Sequence, residues 1–240
     1  SSVATVNVSM PLYLSSTGYR AKVCCDGPAF IGLNQNGELD YNTVTLLSTV
    51  PASVKTSNQS IKLWGKLIVD ENWTIANRTV TFGPNAEIEI ADNQTLVVSQ
   101  SNLKACGNYM WKGINATSYC ALGIMSSTVS EAKRAVRVGN NCVTAYLYLS
   151  NFYDNFVSAD ISNLYNANGV ANTLSYINNF NSGILQPNLK MPYESRTRGH
   201  RAINLNNAFD AAHLLPVVGN TFKNYDFGIY SSNAFFEATG

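Results

Sequence analysis

Charge is what this sequence has least of. Lys, Arg, Asp and Glu make up 13% of its 240 residues, against about 25% in an ordinary soluble domain. Sixteen cations and fifteen anions leave a net charge of +1, so no charge field grips a phosphate backbone, and nucleic acid is excluded as a partner. Histidine is as scarce, at two residues, which leaves few acid–base groups that titrate near neutral pH. Long apolar runs are missing too. The longest uncharged stretch, Ile161 to Leu189, is interrupted throughout by Asn and Ser, which lipid would leave unsatisfied, so no membrane span is expected. No phosphate-cradling glycine loop, nucleotide fingerprint, Ser-His-Asp order or metal-ligand spacing occurs, so neither a cofactor nor a metal is expected.

The five cysteines, Cys24, Cys25, Cys106, Cys120 and Cys142, form no paired Cys-x-x-Cys set, which argues against a zinc site. In an oxidising compartment Cys106 with Cys120 is the most natural disulfide, closing a short loop. The opening Ser1-Ser2-Val3-Ala4-Thr5 reads as a mature end left after removal of a signal peptide. A secreted, cell-surface location is therefore expected. Six Asn-x-Ser/Thr sequons, at Asn7, Asn58, Asn72, Asn77, Asn93 and Asn115, permit glycosylation without demonstrating it.

Amide takes the place of charge: the chain holds 30 Asn. Hydrophobic residues at 45% are enough to build a core. Helical periodicity is confined to Val129–Val138, where Val129, Ala132, Ala135 and Val136 fall on one side. Elsewhere short alternating β runs end at turn-formers: residues 66–69 at Asp70, 73–75 at Asn77, 79–82 at Gly83-Pro84-Asn85, and 87–90 at Asp92-Asn93. No Asn-Gly or Asp-Gly hairpin turn joins them. Short strands at regular intervals without hairpins point to a solenoid.

An internal repeat agrees. Asn151-Phe152-Tyr153-Asp154-Asn155 is echoed by Asn179-Phe180-Asn181 and again by Asn220-Thr221-Phe222-Lys223-Asn224. Stacked units repeat at such intervals. In a parallel β-helix the inward Phe152, Phe180 and Phe222 would form one interior stack. Asn suits the corners because it tolerates left-handed backbone, and its amide both donates and accepts from coil to coil.

Three segments then carry a resemblance: Leu63–Val69, Thr79–Ile88 and Cys106–Ile114, the last ending in Trp111-Lys112-Gly113-Ile114. They resemble the opening coils of secreted right-handed β-helix proteins of the pectate-lyase-like class. Closest among these are the surface and adhesin-like proteins of Bacteroidota-type bacteria. The resemblance spans roughly Ile61 to Tyr230. It implies an all-β, right-handed parallel β-helix over residues 61–240, with a loop insertion near 186–202 and an N-terminal capping or strand-donating region over residues 1–60. In the strand-donating version Val6, Val8 and Met10 would add to a neighbour's sheet edge. The uncapped C-terminal coil would continue or meet another subunit.

Enzymes of this class imply a test on residues. A lyase needs carboxylates holding Ca²⁺ and an Arg or Lys base. Related hydrolases carry paired Asp, Gly-His-Gly and Arg-x-Lys. Here no Asp pair is adjacent, and Arg198-Gly199-His200-Arg201 lacks the second Gly. No catalytic residue is assigned. The densest chemical cluster, Arg196, Arg198, His200 and Arg201, is the candidate site for an acidic glycan or a partner's carboxylates. The expectation is a non-catalytic structural, adhesive or assembly module at a bacterial surface. It would self-associate or contact other surface proteins and glycans. The alternative is a polysaccharide lyase or glycan-binding β-helix using those residues beside Asp154 or Asp160, the only case in which Ca²⁺ would enter.

Overall fold

The computed structural model describes residues 29–33, 40–139, 142–162, 173–176, 178–183, 188–206, 215–234 and 236–239. Among them the chain winds as a parallel β-solenoid of three sheets. Each turn contributes one strand to each sheet. In one turn Lys66–Val69 enters the second sheet, Trp73–Ala76 the third and Thr79–Phe82 the first, after which Glu87–Ile90 returns to the second. All the pairings are parallel, as between Lys66 and Glu87 or between Thr95 and Ala121.

Alternation dictates which side each residue takes. In Lys66–Val69 the second and fourth residues are buried and the others half-exposed, and Thr79–Phe82 and Glu87–Ile90 repeat the pattern. Parallel register then stacks like on like. In the second sheet one inward column runs Leu67, Ile88, Ile114, Val136, Ala159, Ile203. In the first sheet Val129 leads into Phe152, Phe180 and Phe222. The expected phenylalanine stack is therefore present, with ring centroids 4.9 Å apart at the first step and 5.3 Å at the second.

Corners follow the expected chemistry. Five of the ten non-glycine residues with positive φ among the described residues are Asn: Asn77, Asn85, Asn93, Asn224 and Asn233. Beside the corner between the third and first sheets runs a buried polar ladder. Arg78 N–H donates to Ser101 Oγ, Ser101 N–H to Ser127 Oγ, and Ser127 N–H to Ser150 Oγ. Ser150 N–H then donates to Asn178 Oδ1, and Asn178 N–H to Asn220 Oδ1. Each rung satisfies a backbone donor that the corner takes out of the strand ladder. Asn–Asn bonding from coil to coil occurs once in this ladder, Asn178 Nδ2 donating to Asn220 Oδ1 at 3.1 Å, while serine fills the earlier rungs.

Several expectations are corrected. Val129–Val138 is not helical. Thr128–Ser130 is a strand of the first sheet and Arg134–Gly139 one of the second, joined by a corner at Glu131 with φ 61°. The apparent 3–4 spacing of Ala132, Ala135 and Val136 comes from an inward face interrupted by that corner. The parallel stacks also begin upstream of Ile61, since Ala29–Ile31 pairs with Ile61–Leu63 and Val44–Leu46 with Lys66–Ile68. Cys106 is disulfide-bonded while Cys120 carries a free thiol, so the Cys106–Cys120 pairing does not form. In a solenoid, spatial neighbours lie one turn apart. Fourteen residues place Cys106 after a first-sheet strand and Cys120 before a third-sheet strand, at different corners. Val6, Val8 and Met10 lie outside the described residues.

Candidate functional site

Strands of the second sheet carry Lys66, Glu87, Glu89, Arg134, Arg137, Asp160 and Arg201. Parallel register brings Lys112 beside Arg134, one turn apart in sequence and adjacent in space, with Arg134 N–H donating to Lys112 O. Lys133 precedes Arg134, and Arg137 stands outward one strand-step further on, opposite Asn115. The four cations and Glu87 line a cleft of about 350 Å³, walled by Phe156 and Tyr193. Gly113 sits at its floor with φ 119°, and a Cβ there would lie 1.7 Å from Arg134 O, so the sheet approach requires glycine.

The electrostatics are unbalanced toward positive. Lys112 Nζ reaches Glu87 Oε2 at 3.3 Å, and Arg134 Nε reaches Asp160 Oδ2 at 2.9 Å. Lys133 Nζ donates to a neutral acceptor, Asn85 Oδ1, at 2.7 Å. Burial, followed by the charge of Lys112, pulls the Lys133 ammonium below its ordinary pKa. Arg137 is exposed and has no ion pair among the described residues. Asn115 Oδ1 is buried with no hydrogen-bond partner.

The sequence candidates divide into two groups. Arg196, Arg198 and His200 converge on one carboxylate, Asp226: Arg198 Nε lies 2.8 Å from Oδ1, His200 Nδ1 lies 3.2 Å from Oδ2, and Arg196 bonds the same Oδ2. Partial burial raises the Asp226 pKa, but the His200 hydrogen bond and the two guanidinium charges outweigh it and hold the carboxyl below its usual range. Arg201 belongs to a second network. Its Nη1 donates to Asn204 Oδ1 at 2.7 Å, Asn204 Nδ2 donates to Asp160 Oδ1 at 2.6 Å, and its guanidinium lies 3.7 Å from the centre of the Tyr230 ring.

The segment holding these residues does not stand away from the coils. Met191 N–H donates to Asn108 O, and Met110 N–H donates to Met191 O, both at 2.9 Å, so the segment lies back along the stack. Lys190 Nζ pairs with Glu131 Oε1 at 2.8 Å, both side chains 10% exposed. Tyr193 stacks on Phe156 at 3.7 Å, and His200 stacks on the same ring at 5.4 Å. His200 and Arg201 themselves lie in a second-sheet strand, Gly199–Asn206.

Reasoning from sequence missed Lys112, Lys133, Arg134, Arg137 and Asp226. The available signal was their one-turn spacing (Lys112 to Arg134, Arg201 to Phe227), which becomes visible once the coil length is known. Of the two acids expected beside the Arg and His cluster, Asp160 joins Arg201 through Asn204. Asp154 sits at a corner, 3% exposed, with Oδ1 accepting Gly183 N–H, while Asp160 faces outward in its ion pair with Arg134. Among the described residues no group of three His, Cys, Asp or Glu side chains is placed to hold a metal ion. No helix among them is long and apolar enough to cross a membrane. Comparison with protein-family models, curated proteins and solved structures found no match in any of the three.

Proposed function

We propose that this chain is a non-catalytic adhesive module of a bacterial cell surface, and that it holds an acidic polysaccharide along the outer face of its second sheet. The observation that carries the reading is the cleft. Lys112, Lys133, Arg134 and Arg137 line it with Glu87 beside an aromatic wall of Phe156 and Tyr193, and Arg134 also pairs with Asp160. Planar guanidinium groups match carboxylates or sulfates with two parallel hydrogen bonds, and ring faces cover the apolar side of a sugar. The parallel coils supply cations at successive steps, so a polyanion gains by engaging several at once.

Binding without turnover is favoured because the acids on this face are engaged. Asp160 is held by Arg134 and Asn204, and Asp226 by two arginines and His200. The disulfide at Cys106 supports an oxidising, extracellular compartment. The resemblance to Bacteroidota-type surface proteins supports the same placement.

The test is calorimetric titration with polygalacturonate and with a neutral glucan, alongside a spectrophotometric lyase assay in Ca²⁺. Polygalacturonate should bind and the neutral polymer should not, with no unsaturated product released. The double substitution Arg134→Ala/Arg137→Ala should weaken binding at least about tenfold, at about 1.4 kcal/mol per decade. Unchanged binding by that variant, or product formation, would overturn the reading.

A further inference from the structure

We propose that Cys120 and Cys142 are a paired-thiol site that a peroxide oxidises to a disulfide, covalently linking consecutive coils.

The two residues are 22 positions apart, one turn of the solenoid. Cys120 immediately precedes the third-sheet strand Ala121–Met125, and Cys142 lies two residues before its neighbour Thr144–Tyr148. Ala121 pairs with Thr144, and Val143 N–H donates to Cys120 O at 2.8 Å, which fixes the two corners against each other. The register sets Cys142 one residue before the position opposite Cys120, so a strand spacing of about 4.8 Å and a rise of about 3.3 Å put their Cα atoms roughly 6 Å apart, inside the separation of about 4.4–6.8 Å that a disulfide spans. Both side chains are buried, at 2% and 6% exposure, in the same core cluster, close enough for the Cys142 thiol to stabilise a Cys120 thiolate. Both are free.

The two thiols are unequal. The hydrogen bond from Cys142 lowers the Cys120 pKa, outweighing burial and the charge of Asp92, while the same bond and burial push Cys142 up. Cys120 is therefore the attacking sulfur. Its thiolate displaces hydroxide from hydrogen peroxide and becomes a sulfenic acid; the hydroxide takes up a proton and leaves as water. Cys142 sulfur then attacks the Cys120 sulfur, the S–O bond breaks, and a second water leaves with the Cys142 proton. Two thiols lose two electrons, and one peroxide is reduced to two waters.

The test is peptide mapping of the folded chain before and after hydrogen peroxide, with remaining thiols alkylated after unfolding. Before treatment the peptides bearing Cys120 and Cys142 should both be alkylated. Afterwards neither should be, the two should be recovered as one linked species, and dithiothreitol should restore both. In Cys142→Ser, Cys120 should instead advance to sulfinic and sulfonic acid that dithiothreitol does not reverse. Thiols still fully alkylated after treatment, or an over-oxidised Cys120 beside a free Cys142 in the native chain, would overturn the proposal. The native-chain result stands even if the variant fails to fold.

Discussion

Leu149 is the residue least suited to its position. It holds φ 49° at the corner where earlier turns place Asn77, Gln100 and Ser126 at 53°, 49° and 49°, and it is 43% exposed. A Cβ in the left-handed region costs roughly 1–2 kcal/mol, which Asn partly recovers through local hydrogen bonding. Leu149→Asn should therefore stabilise the chain by about 1 kcal/mol in chemical denaturation, since little apolar burial is lost. Asp226 is the opposite case, a residue matched to its surroundings by three cationic or hydrogen-bonding partners. Its folded pKa is depressed, so its contribution is present above the unfolded value of about 3.9 and is lost as pH falls through the folded value. Asp226→Asn should lower stability at neutral pH. Its unfolding midpoint should converge on the native chain's as pH falls below the folded value.

At the scale of elements, register is what turns local choices into a column. Phe152, Phe180 and Phe222 were legible in the sequence because each follows an Asn by one or two positions in a repeated segment. The structure stacks their rings at interplanar angles of 14°. Phe180→Ala removes the middle ring of three and should cost about 3–5 kcal/mol, seen as a fall in the denaturant midpoint without loss of the solenoid's circular dichroism. The Ser101–Ser127–Ser150 ladder left no comparable trace, since Ser is common in this chain and its role depends on which N–H the corner exposes. Ser127→Ala leaves the buried Ser101 N–H without an acceptor and should cost about 1–3 kcal/mol, measured the same way.

For the whole molecule, the concentration of cations on one face makes ligand binding a stability term. If polygalacturonate binds only the folded chain, a concentration of about a hundred times Kd adds about 2.7 kcal/mol. Tm should then rise by roughly 5–10 °C at about 2–4 °C per kcal/mol. Added salt should erase the rise as the Debye length shrinks to about 3 Å at 1 M. A neutral glucan should give no shift.

The sequence by itself determined the strands over residues 66–90, the turns between them and the preference for Asn at corners, but not the two strands within 129–138. Alternation and left-handed preference act over a few residues and are written where they act. It also marked Arg196, Arg198, His200 and Arg201 as chemically dense, because they are close in the chain. Only the tertiary structure decided what those groups meet: Asp226 reaches three of them from the next turn, and Arg201 turns to Asn204 and Tyr230 instead. It likewise set Lys112 against Arg134, and Cys142 rather than Cys106 against Cys120. In a parallel solenoid every sideways neighbour lies a full turn away along the chain. The length of each turn, set by its corners and insertions, therefore governs which charges and which thiols come together.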